Sequence, residues 1–108
     1  MPPVQPSTIA LDKAVVIGTS SIELLPETGN AIRALIMITN GTTTGQTVRL
    51  GIGKDADANS GIVIFPGGVY LESIDNNFTP TPHRITAIVD ALTCTVYVHM
   101  RILPAEEK

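Results

Sequence analysis

The chain has 108 residues, of which 44% are hydrophobic and 16% charged, and a formal net charge of −3. That length holds one domain, and a charged fraction well under the ~25% of ordinary soluble domains leaves little to coat an isolated surface. An acidic balance with only seven Lys and Arg excludes a nucleic-acid phosphate surface, and one cysteine excludes both an internal disulfide framework and a four-cysteine zinc site.

Residues 1–8 hold three prolines and no core-forming pattern, so an extended, polyproline-like arm is expected, free or laid on a neighbour. Neither the basic nor the apolar region of a secretion signal is present there. Ile9 to Gly18, with Val15, Val16 and Ile17, reads as a strand, and Ser20 to Leu25 as a second, closed by a turn from Pro26 to Asn30. Ala31 to Asn40 is the longest strand candidate and is apolar on both faces, Ile32, Ala34, Ile36 and Ile38 on one, Leu35 and Met37 on the other. A sandwich core covers only one face, so the second needs another layer or another subunit. This segment is also far shorter than the ~20 apolar residues of a membrane helix.

After a polar loop, Thr47 to Lys54 sets Val48, Leu50 and Ile52 against Arg49, Gly51 and Gly53, a glycine-bearing face that either admits another backbone or marks a bulge. Gly61 to Phe65 and Val69 to Ser73 are strands joined by Pro66-Gly67-Gly68, in which proline fixes φ and the glycines supply positive φ. A second long loop from Ile74 to Pro82 precedes a strand from His83 to Asp90. Cys94 to Leu103 then completes the set before a charged tail over residues 104–108. In that last strand Val96, Val98, Met100 and Ile102 alternate with Tyr97, His99 and Arg101, one face for the core and one polar.

About eight short strands with regular turn signals and no substantial helix over residues 9–103 predict an all-β antiparallel sandwich, jelly-roll-like. An immunoglobulin-like sandwich is the alternative, although the chain has no Trp to build its Cys-Trp-Cys signature.

The candidates for chemistry are few. Asp55 to Asn59 has the alternating oxygens of a calcium loop, but the position expected to hold a bidentate Glu is Pro66, so a solvated turn is the competing reading. His83 and His99 lack the His-x-His pairing of a cupin metal site, and no serine sits in a nucleophile elbow. No catalytic residue, cofactor or metal ligand is assigned. Cys94, inside an apolar strand, is expected to be buried and inert. Tyr97, His99 and Arg101 offer a polar recognition stripe suited to a sugar, or a plain solvated or intersubunit face. Leu35, Met37, Val63 and Phe65, set opposite residues that need the core, are the candidate subunit interface and predict a homo-oligomer.

The succession Val15-Val16, Leu24-Leu25, Ile32-Arg33, Ile36-x-Ile38-x-Asn40, Val48-x-Leu50-Gly51, Gly61-Ile62, Pro66-Gly67-Gly68, Ile85-x-Ala87-Ile88 and Val96-x-Val98 resembles small β-sandwich accessory proteins of tailed bacteriophages and related viruses. The resemblance implies a non-enzymatic virion component, most naturally a capsid decoration or cement protein. It implies a homotrimer in contact with the major capsid protein, with a tail or fibre part as a variant, and neither nucleic acid nor membrane as partner. A carbohydrate-binding or cupin-like module on the Tyr97, His99 and Arg101 face is the alternative function.

Overall fold

The computed structural model describes residues 9–29, 31–42, 45–74 and 79–103. The expected arm over 1–8 and tail over 104–108 lie outside the described residues, as does the centre of the Ile74 to Pro82 loop. Eight strands follow one another: β1 (Ile9–Ile17), β2 (Ile22–Leu25), β3 (Ile32–Asn40), β4 (Val48–Ile52), β5 (Ile62–Ile64), β6 (Val69–Ser73), β7 (Ile85–Val89) and β8 (Cys94–Leu103). They pair antiparallel throughout, in two four-stranded sheets of order β1-β8-β3-β6 and β2-β7-β4-β5. This interleaved order, in which all connections but β4–β5 cross between sheets, is a jelly roll rather than the immunoglobulin arrangement.

The register fixes two unlike ends. Ile17 pairs with Cys94, Asn40 with Val96, Val48 with both Ile64 and Val89, and Thr39 with Val69. The connections β1–β2, β3–β4, β5–β6 and β7–β8 therefore meet at one end, called distal below, while Ile9, paired with Ile102, marks the other. Between the sheets lies a mainly aliphatic core that includes Leu24, Ile36, Ile38, Leu50, Ile85 and Val96, each at most 1% exposed. Burying side chains of this size contributes roughly 1.5–3 kcal/mol apiece, and the strict alternation of β8 is the sequence pattern that supplies one wall.

β3 departs from simple alternation. A bulge between Arg33 and Leu35 turns Arg33 inward opposite Ile102, and leaves Ile32 half exposed on the outer face rather than in the core face expected for it. The cause is polar. The Arg33 guanidinium donates from Nη1 to the Thr81 and His83 carbonyls, at 2.8 and 2.7 Å, and from Nη2 to the Pro26 carbonyl at 2.5 Å. Three loop carbonyls that strands cannot satisfy are thus tied to one side chain at the proximal end.

Asn40 performs the same task distally. Its amide nitrogen donates to the Gln46 and Ile64 carbonyls, both at 2.9 Å, and its side-chain oxygen accepts from Thr42 N and Cys94 Sγ. Cys94 is buried, and burial is the first cause pushing its thiol above the ordinary range, opposed by hydrogen bonding with Thr42.

The Pro66-Gly67-Gly68 corner forms with Gly68 N donating to Phe65 O at 2.7 Å and Gly67 at φ +76°, the pattern of a type II turn. Only Gly67 uses positive φ, which corrects the expectation for Gly68. That residue is glycine because a Cβ would stand 2.9 Å from the Phe65 carbonyl. At Gly51 the close-approach reading holds: a Cβ would meet Lys54 O at 2.8 Å and Ala56 N at 2.9 Å, where the following loop folds back over β4.

Candidate assembly and recognition surface

Alternation turns one side of the β1-β8-β3-β6 sheet to the core and the other outward, and the pairings order the outward residues into rows. Ala14, Tyr97, Thr39 and Val69 make one row; Asp12, His99, Met37 and Leu71 the next; Ala10, Arg101, Leu35 and Ser73 a third. The β3–β6 half is apolar: Val69 is 52% and Leu71 49% exposed, with Met37 also exposed and Leu35 half-buried. Toward β1 the face turns polar, and a shallow hollow of about 280 Å³ opens where the halves meet, lined in part by Asp12, Met37, Thr39, Tyr97 and His99. Tyr97 leans over Gly41, whose absent side chain makes room for the ring: a Cβ there would stand 2.3 Å from the Tyr97 Cε2.

Of the polar stripe singled out in sequence, His99 and Arg101 are brought together, and β1 adds Asp12. Arg101 Nε donates to His99 Nε2 at 3.1 Å, so that nitrogen is an acceptor and the ring carries its proton on Nδ1, which donates to Asp12 Oδ1. With both ring nitrogens engaged, this array orients charge on a surface and leaves no free base. Asp12 escaped the sequence reading because only the β1–β8 register sets it opposite His99, 87 positions away.

The candidate interface residues do not form one surface. Leu35 and Met37 lie outward on the β1-β8-β3-β6 sheet, whereas Val63 pairs with the outward Arg49 on the opposite sheet, and Phe65 stands 67% exposed at the end of β5. Exposed apolar residues concentrate distally as well. Leu92, in the β7–β8 turn, is 78% exposed at φ +60°, and Val16, near the end of β1, is 65% exposed.

Elsewhere the geometry is that of ordinary turns. Asp55 Oδ1 pairs with Arg84 Nη2 at 3.0 Å, and Asp57 Oδ1 accepts from Asn59 N at 2.9 Å. Among the described residues no three His, Cys, Asp or Glu side chains are grouped as a metal site. His83 is exposed in a proximal loop, on a different surface from His99. Glu72, on β6, accepts from Tyr70 Oη at 2.5 Å and Thr81 N at 3.0 Å. Burial, then this hydrogen bond and the Glu72 charge, raise the Tyr70 phenol far above its ordinary range.

No family model matches the chain, and no curated protein matches it. Among solved structures it is similar to a chain from Bacillus endospore appendages, described as a family of disulfide-linked pili, with a TM-score of 0.51 and 16% identity. The alignment covers 94% of this chain and 93% of that one. At that identity the likeness is one of fold, and it extends over the whole sandwich.

Proposed function

We propose that this protein is a non-enzymatic structural subunit that assembles with copies of itself into an appendage or shell outside the cell. The observation that carries this reading is the apolar outer face around Val69, Leu71 and Met37, exposed on a chain with 16% charged residues. Contiguous apolar surface of this kind marks an interaction site. The fold likeness to a pilus subunit supports a polymer. The sequence resemblance to accessory virion proteins supports a finer form, a homotrimer that decorates a capsid and touches the major capsid protein.

The assembly is not held together by disulfides. One cysteine per chain joins subunits at most in pairs, and Cys94 is buried against Asn40. Propagation therefore rests on non-covalent contacts. Light scattering and negative-stain microscopy of the purified protein test the proposal: closed trimers favour the capsid form, open filaments the appendage form. Leu71→Lys is expected to convert either into monomers without lowering thermal stability. A wild-type protein that stays monomeric at micromolar concentration overturns self-assembly.

A second reading has one observation in its favour, the Asp12–His99–Arg101 array beside Tyr97, which suits a carbohydrate ligand. Saturable glycan binding in calorimetry, lost in Arg101→Ala, would establish it, and no heat with any glycan removes it.

A further inference from the structure

We propose that Asn40-Gly41 is a latent deamidation site, closed by the folded subunit and opened by unfolding, and that reaction there prevents a chain that has lost its fold from regaining it. The inference is independent of the assembly proposed above.

The fold dictates each member of the pair separately. Asn40, the last residue of β3, is 0% exposed; its Nδ2 donates to the Gln46 and Ile64 carbonyls, and its Oδ1 accepts from Thr42 N and Cys94 Sγ. Two donors and an acceptor on one planar group are what a carboxamide offers and a carboxylate does not. Gly41 answers to β8. A Cβ there would stand 2.9 Å from the Thr95 carbonyl and overlap the Tyr97 ring. The buried network therefore demands Asn, the close crossing demands Gly, and the two positions are consecutive. That order is the one most open to deamidation, because glycine puts no side chain in the way of its own nitrogen and lets the backbone turn toward the Asn side chain.

In the reaction Gly41 N attacks Asn40 Cγ and closes a five-membered imide. The Cγ–Nδ2 bond breaks, and Nδ2 leaves as ammonia with the proton that Gly41 N gives up. Water then opens the imide at either carbonyl, giving Asp or isoaspartate at position 40.

The folded subunit opposes each step. Gly41 N–H is engaged with Thr95 O at 3.0 Å, the departing Nδ2 is tied to two carbonyls, and the carboxamide is shut off from water. Attack also makes Cγ tetrahedral, which moves Oδ1 and Nδ2 out of the plane in which their four partners meet them. Unfolding removes all of these restraints together. The products do not fit the site they came from: Asp turns an acceptor-only carboxylate toward the Gln46 and Ile64 carbonyls, a buried charge without a partner. Isoaspartate reroutes the main chain through the former side chain, where Asn40 N donates to Gly68 O at 3.0 Å and Gly67 N to Asn40 O at 2.9 Å. Chemical change of the unfolded chain is one of the routes by which unfolding becomes irreversible.

Peptide mapping by mass spectrometry tests the inference on wild-type protein held at mildly alkaline pH, in buffer and in concentrated guanidinium chloride. In denaturant Asn40 is expected to convert to Asp and isoaspartate ahead of Asn59, which precedes Ser60, and the fraction that refolds on dilution should fall in step. In buffer the conversion at Asn40 is expected to be at least about tenfold slower, since it proceeds only through openings of the distal end. Equal rates in the two solutions overturn the protection, and an unfolded chain that converts at Asn59 before Asn40 overturns the site. Asn40→Asp carries the product without the reaction and is expected to lose folding or to melt well below wild type. A melting temperature equal to that of wild type in Asn40→Asp, together with full refolding of the converted chains, overturns the block on return.

Discussion

Arg33 and Asn40 stand near opposite ends of β3, and each is a buried polar side chain: Arg33 bonds to three loop carbonyls, and Asn40 to the β3–β4 loop and to the terminal residues of β5 and β8, Ile64 and Cys94. For Arg33 burial is the first influence and lowers its affinity for a proton, with the Glu72 charge opposing it. Arg33→Ala strands three loop carbonyls and is expected to cost at least about 3 kcal/mol of stability. Arg33→Lys, which keeps the charge without the planar fork, should fall between the two; an unchanged melting temperature in Arg33→Ala would sink the clamp. Tyr70 provides a pH test. Its folded pKa is raised above the ordinary 10.0, so its contribution is complete below pH 10 and is lost as pH climbs toward the folded value. Chemical denaturation at alkaline pH should show stability falling from about pH 10 upward, and Tyr70→Phe should flatten that slope. Equal slopes in the two proteins would contradict it.

At the level of strands, β8 was fully legible: Val96, Val98 and Met100 are buried and Tyr97 exposed, as alternation requires. β3 was legible from Ala34 onward. Its bulge answers to carbonyls 48 and 50 residues away from Arg33, which no local period reveals, so Ile32 was assigned to the wrong face. The glycines sort by cause. Gly67→Val forces a branched side chain into positive φ and is expected to destabilise by about 1–3 kcal/mol. Gly29→Ala also sits at positive φ, in open space, and should cost less. Thermal denaturation ranks the two, and the reverse order would refute the turn assignment.

For the molecule as a whole, strand count and turn spacing were enough for a sandwich, whereas the jelly roll needed the pairing order, which is a property of contacts distant in sequence. The same gap divided the candidate interface. Leu35, Met37, Val63 and Phe65 all read as outward, but only the topology places the first two on one sheet, Val63 on the other and Phe65 in the connection between β5 and β6. The array at His99 was half visible for this reason too, since its third member lies on β1. The pairing of Ile9 with Ile102 has one more consequence. The polypeptide enters and leaves the sandwich through adjacent strands at the end away from Phe65, about one strand spacing apart (~5 Å). A host loop can therefore take up the whole sandwich as an insert without being stretched, and cargo joined at either side would be carried behind the distal corner rather than across it.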